Sequence, residues 1–272
     1  MSTLTNLFMK KIAVLSDFHC GHKVGLTPTG WLPEKDENGE TPLWAQINKA
    51  HWTWYAREIA RNGPYDIIFV NGDLVDGKGK KSGSTELLAP DMEDQSDMAV
   101  KIIRQIPKTK NCKIAISRGT PYHVSSSDGE DWENVIAERV GATISDQLWI
   151  EVEGIVFDLK HHPAGGGGLP HTRHTAVAKD RLWNVLLAQE GEQHKADVVL
   201  RSHCHYHNFC GGHDWIAMTT PALQGAGSKF GARRCSGKVD FGFLTFTVDK
   251  GTFSWKQHIA KLVEQKSPLL KL

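Results

Sequence analysis

The stretch Lys11-Ile12-Ala13-Val14-Leu15-Ser16-Asp17-Phe18-His19 sets a pattern that the rest of the chain repeats. An apolar run of strand length ends, and an acid and an imidazole follow at alternate positions. A second run, Tyr65 to Val70, leads into Asn71-Gly72-Asp73-Leu74-Val75-Asp76. Between the two, residues 44–61 place Trp44, Ile47, Trp54 and Ile59 at helical spacing, and Gly63-Pro64 ends the helix. Strand, helix and strand in this order make a βαβ unit with chemistry-bearing side chains at its strand ends.

The pattern continues along the chain. A helix is expected over about 92–106 and a strand over 112–116, before Arg118-Gly119-Thr120-Pro121-Tyr122-His123. A helix over 131–140 follows, then strands over 147–152 and 155–159 that turn at Glu153-Gly154 and end at His161-His162. A helix over 175–189 leads to a strand over 196–200, which delivers Ser202-His203-Cys204-His205. The tail reads as a hairpin, 241–248 and 252–258, turning at Asp249-Lys250-Gly251.

With 272 residues, 40% hydrophobic and 23% charged, the chain is long enough to bury a sizeable core. No linker divides it, so one domain over residues 1–272 is expected, with 1–10 as an N-terminal extension and 259–272 as a C-terminal tail. A formal charge of +1 excludes strong overall attraction to nucleic acid or membrane. The cysteines Cys20, Cys112, Cys204, Cys210 and Cys235 form no CxxC pair, which fits a reducing, cytoplasmic setting and leaves no disulfide framework. The apolar run 12–15 is far too short for a signal peptide.

Asp17 and His19 pair a hard carboxylate with a borderline imidazole, a set suited to Mn, Fe, Zn or Co. Asp73 adds a carboxylate that can reach two cations, with Gly72 allowing the sharp turn. His203 and His205, one residue apart after a strand, can face one pocket. Of His161 and His162, the first off the strand is preferred as the ligand, with the second as the alternative.

The order Asp-x-His, Gly-Asp-x-x-Asp, His, His-x-His over roughly residues 12–258 resembles the calcineurin-like metallophosphoesterases. The resemblance implies a four-layer α/β/β/α sandwich with mixed sheets and a dinuclear site at the strand ends. It assigns Asp17, His19 and His205 to one cation and His161 and His203 to the other, with Asp73 bridging. Mn2+ is the expected metal, with Fe, Zn, Ni or Co as alternatives. Two cations would clamp the phosphate and activate water, while His123, oriented by Asp76, would protonate the leaving group.

The sequence also departs from the family. Thr120 stands where the family has a metal-binding Asn, and two extra residues precede His123, which implies one tight and one weaker cation site. Ser202 replaces the usual Gly before His203. A finer resemblance, to a branch common in bacteriophages, rests on Arg118-Gly119-Thr120-Pro121 and Arg201-Ser202-His203.

For substrate binding, Arg118 and His162 are the candidates; Lys78, Lys80 and Lys81 could steer a polyanion, but the stretch reads better as a solvated flexible loop. Residues 164–168 with His171, Arg173 and His174 read as a rim over the site. Trp31, Trp44, Trp52 and Trp54 fit core packing better than base stacking. Asp76-Gly77-Lys78 lacks the Arg that the protein-phosphatase branch uses, which disfavours phosphoserine proteins. The expected function is hydrolysis of phosphodiesters in nucleotides or nucleic acid. The alternatives are a phosphomonoesterase of the same fold and a non-catalytic, metal-stabilised nucleotide- or nucleic-acid-binding protein.

Overall fold

Why the strand ends converge follows from how two sheets stack in a computed structural model, which describes residues 9–33, 35, 39–79, 83–124, 129–165, 170–228 and 238–261. The elements, in chain order, are β1 (Lys10–Leu15), α1 (Leu43–Asn62), β2 (Tyr65–Asn71), α2 (Met92–Gln105), β3 (Lys108–Ser117), α3 (Pro121–Val124), α4 (Trp132–Val140), β4 (Thr143–Ser145), β5 (Gln147–Val152) and β6 (Ile155–Lys160). Then come α5 (Thr175–Gln189), β7 (Val198–Arg201), β8 (Asn208–Gly211), β9 (Ile216–Thr219), β10 (Gly242–Asp249) and β11 (Thr252–Ile259). One sheet runs β11-β10-β1-β2-β3-β4 and the other β5-β6-β7-β9-β8. Both are mixed: β1, β2, β3 and β4 are parallel, as are β6, β7 and β9, and antiparallel strands flank them.

Alternation along the strands assigns each face its layer. Ile12, Val14, Phe69, Leu244 and Phe246 from the first sheet meet Phe157, Leu159, Val198, Leu200 and Met218 from the second in one buried cluster. Phe157 sits between Phe69 and Phe246, its ring centroid 5.4 Å from each at steep angles. Truncating such a residue costs about 3–5 kcal/mol. Ala13, Leu15, Ile68, Val70 and Ile116 point the other way, onto Tyr55 and Ile59 of α1, Met98 and Ile102 of α2, and Ile136 of α4. On the far side, Val177 of α5 packs on Val199 and Ala217. Helices, sheet, sheet and helix are the four layers that the resemblance implied.

Local signals set the boundaries. Asp91 caps α2 by accepting from the Glu93 amide, Asp131 caps α4 by accepting from the Asn134 amide, and Gly141 closes α4 in the left-handed region. Lys250 and Gly251, both at positive φ, make the turn of the β10–β11 hairpin. Trp52 is buried, and Trp31 and Trp54 pack against the same core, as core packing requires, whereas Trp44 is half-buried outside it with Lys23 Nζ 5.8 Å over its ring. Three strands were not expected: β4, β8 and β9 have three or four residues each, too few to show a period. Among the described residues, no helix is long and apolar enough to cross a membrane.

A close approach lies at the end of β2. Gly72 has φ +79°, and a Cβ there would come within 2.5 Å of His161 Nδ1 and 2.7 Å of Gly119 Cα. Gly154, at φ +84° in the β5–β6 turn, would meet nothing closer than 3.5 Å. Gly154→Ala should therefore carry only left-handed strain, about 1–2 kcal/mol. Gly72→Ala adds an overlap and is expected to lose about 1–3 kcal/mol more in urea denaturation. Equal losses would contradict this packing.

Candidate metal centre

Five parallel strands deliver the candidate residues to one edge: β1 to Asp17, β2 to Asp73, β3 to Thr120, β6 to His161 and β7 to His203. Beyond the ends of β1 and β2 the backbones stay zipped. The amides of Asp17, His19 and Cys20 donate to the carbonyls of Gly72, Asp73 and Leu74, each at 3.0 Å. The turns are sharp enough that Asp17, His19, Asp73, His203 and His205 all have positive φ, between 45° and 66°. Each such non-glycine residue costs of order 1–3 kcal/mol, and clustering of that strain is typical of functional sites.

These turns bring two overlapping sets of donors together. Asp17, His19 and His205 offer ligand atoms all within 4.8 Å of one another, as do Asp17, Asp73 and His161. No hydrogen bond satisfies either oxygen of Asp17, which is fully buried, nor Nε2 of His19. His205 Nε2 approaches Asp17 Oδ1 to 3.2 Å, and His161 Nε2 lies 3.0 Å from Asp73 Oδ2. The same Asp73 oxygen is 3.8 Å from His19 Nε2, so Asp73 stands between the two histidines. His161 Nδ1 donates to the Asn71 carbonyl at 2.7 Å, fixing the tautomer that frees Nε2. Buried, unsatisfied oxygen and nitrogen atoms at this spacing fit divalent cations.

Electrostatics follow from that crowding. Burial pushes the Asp17 carboxyl up, but His205 and His161 outweigh it and hold the group at about 2. Burial likewise opposes the Asp73 charge, yet His161 keeps this carboxyl well below the usual range. Burial disfavours a proton on His161, and Asp73 and Asp17 overcome this, raising its pKa to about 10. Burial and the neighbouring His162 and His161 lower His203 to about 4.

Other candidates take different places. His19 Nδ1 pairs with the Asp76 carboxylate at 3.0 Å, whereas His123 Nδ1 donates to the Asp76 main-chain carbonyl at 2.6 Å. Asp76 thus orients His123 through its backbone and gives its side chain to His19. The Thr120 amide donates to Asp73 Oδ1 at 2.6 Å, and its hydroxyl donates to Oδ2 at 3.1 Å. Arg118 is not brought to the cluster: its guanidinium pairs with Asp131 at 2.6 Å and Asp146 at 3.3 Å, beside the start of α4. Two acids near its own strand end outcompete the site for it. Of the residues expected to form a rim, Arg173 places its guanidinium 4.7 Å over the Tyr206 ring. Lys80, Lys81 and Gly166 to Gly168 lie outside the described residues.

Two supports went unread in the sequence. Glu133 of α4 is fully buried, its oxygens accepting the amides of Leu74 at 3.0 Å and Gly119 at 2.7 Å, next to Asp73 and Thr120. Burial and the Asp73 charge raise its carboxyl to about 8, against the pull of those amides. Beneath the site, the Asn71 side-chain amide donates to Ser202 Oγ at 2.6 Å and to the Lys160 carbonyl at 3.2 Å, and its oxygen accepts from Ser117. Thr220 Oγ1 joins Ser202 Oγ to Ser16 Oγ at 2.7 and 2.8 Å. This network ties the ends of both sheets together, and Ser202 takes part where glycine could not.

No family model matches the chain, and no curated protein matches it. Among solved structures, the chain is similar to Vacuolar Protein Sorting 29 from Cryptosporidium parvum, with 10% identity over 93% of this chain and 98% of that one and a TM-score of 0.47. It is also similar to wild-type Vps29 from Entamoeba histolytica complexed with Zn2+, with 12% identity over 92% and 98% and a TM-score of 0.41. A novel archaeal phosphodiesterase shows 16% identity over 91% and 99%, with a TM-score of 0.43.

Glu133→Gln would turn an amide donor toward one of the two backbone donors, leaving both unsatisfied. The expected loss is about 1–3 kcal/mol in chemical denaturation; an unchanged midpoint would rule out the tether. A second expectation concerns pH. Without cations, His161 and Glu133 hold protons to about pH 10 and about pH 8, above their ordinary 6.5 and 4.5. Their contributions are full below the lower values and are lost as pH rises through the upper ones. Thermal denaturation in chelator should therefore show Tm falling from pH 6.5 toward 10, and saturating divalent cation, which replaces the His161 proton, should flatten that fall. Identical slopes would contradict the ligand assignment.

Proposed function

We propose that this chain is a metal-dependent hydrolase of phosphate esters whose centre takes two divalent cations, and that its substrates are phosphodiesters of nucleotides or nucleic acid. The observation that carries this reading is the position of Asp73, whose Oδ2 lies 3.0 Å from His161 Nε2 and 3.8 Å from His19 Nε2. One carboxylate between two donor sets is what a bridging ligand requires. Asp17, His19 and His205 would hold one cation and His161 and His203 the other, with Thr120 beside the second. The mixed carboxylate and imidazole donors suit Mn2+ and also admit Fe, Zn, Ni or Co. Such cations polarise a phosphoryl oxygen and make water a nucleophile at neutral pH.

The remaining steps belong to the chain's own groups. With Nδ1 donating to the Asp76 carbonyl, His123 keeps Nε2 for the proton that a leaving alkoxide needs. Its ring lies 4.6 Å from that of His19, next to the first donor set. Two dications against Asp17 and Asp73 leave the centre positive, which draws in an anionic ester. Tyr122, 46% exposed with its ring 4.0 Å from that of His123 and tilted by 41°, and Arg173 over Tyr206 support a base-bearing substrate at the rim.

The test is hydrolysis of bis(p-nitrophenyl) phosphate and of a dinucleotide in Mn2+ and in chelator. Asp73→Asn should abolish metal-dependent turnover. His123→Ala should lower kcat about 10²–10⁴-fold, and more for the dinucleotide, whose alkoxide leaves less readily than p-nitrophenolate. Turnover unaffected by chelation would overturn the proposal. A metal-loaded but inert protein that still binds nucleotide would favour the non-catalytic reading.

A further inference from the structure

The reading of two cation positions leaves the second one short of a ligand, because Thr120 stands where an amide oxygen would have served. We infer that His162 supplies that ligand, so that the second position is a three-imidazole site of His161, His162 and His203 completed by Asp73. The inference rests on the dinuclear reading above and extends it to a side chain that the sequence analysis placed with substrate binding.

Three observations converge. The ligand nitrogens of His161, His162 and His203 all lie within 4.8 Å of one another. The rings of His162 and His203 have centroids 4.0 Å apart at 46°, and those of His161 and His203 are 5.4 Å apart. The Thr120 hydroxyl sits among them, with Oγ1 3.2 Å from His162 Nε2, 3.3 Å from His203 Nδ1 and 3.1 Å from Asp73 Oδ2. A hydroxyl has one proton, and Thr120 gives it to Asp73. What is left is a neutral, weak oxygen donor, flanked by two imidazole nitrogens that are much better ones.

Consecutive residues in a strand face opposite sides, which makes His161 and His162 look like alternatives in the sequence. β6 ends at Lys160, however, and the chain bends at His161 and His162. Both imidazoles thereby lie beside His203, the His161 ring buried and the His162 ring partly exposed.

The two positions then differ in chemistry. The first has two carboxylates, Asp17 and Asp73, with two imidazoles; the second has Asp73 with three imidazoles. Carboxylate-rich sets suit Mn2+, whereas imidazole-rich sets suit Zn2+, Co2+, Ni2+ and Fe2+. The second position is therefore expected to select a borderline cation.

Metal content after gel filtration and Co2+ titration followed by visible absorption test this in wild type, His162→Ala and His162→Ala/Thr120→Asn. Circular dichroism in chelator checks that each variant folds. Wild type should bind two cations per chain. His162→Ala should keep one and bind the other at least ~10-fold more weakly, with one Co2+ band lost, and the added Asn should restore it. A second cation held by His162→Ala as tightly as by wild type would overturn the inference and leave the dinuclear reading intact, and equal weakening of both cations would also overturn it. Fewer than two cations in wild type would overturn both.

Discussion

The buried carboxylate of Asp73 is the constraint on which the rest of the site depends. It is 1% exposed, and it takes the Thr120 amide on one oxygen and the Thr120 hydroxyl and His161 on the other. Placing it there requires a left-handed Asp after a left-handed glycine, and Gly119 so close that a Cβ would come within 2.2 Å of the carboxylate. An unpaired carboxylate at this depth would be costly, so imidazoles and backbone amides must surround it. The two zipped loops after β1 and β2, the tether from Glu133 and the hydroxyl network under Asn71 all serve to hold that arrangement.

Rigidity and chemistry are linked here through the sheets. Donors mounted at the ends of parallel strands inherit the stiffness of two packed layers. The inter-sheet core around Phe157 sets the separation of the layers, and the Asn71–Ser202 contact fixes it again next to the site. Asp17, His19 and Asp73 from one sheet and His161, His203 and His205 from the other can then meet without depending on a mobile loop. Five of the eight non-glycine residues at positive φ among the described residues are in this set, so the strain is concentrated where donors must turn inward.

Much of this was legible in the sequence because apolar runs of strand length are distinctive when polar ligands follow them. β1, β2, β6 and the β10–β11 hairpin lie within a residue or two of their expected bounds. β9, buried in the second sheet, was not legible: Ile216-Ala217-Met218-Thr219 is too short to carry a period. Glu133 was hidden because a lone acid inside an amphipathic helix reads as solvated, and only the fold reveals that it faces two backbone amides. Arg118 looked like a phosphate ligand because the sequence does not show that Asp131 and Asp146 stand beside it.

The most direct measurement is anomalous diffraction from crystals grown with Mn2+. The account predicts two peaks about 3.5–4 Å apart, with the Asp73 carboxylate between them. A single peak, or two peaks of which neither touches Asp73, would contradict it.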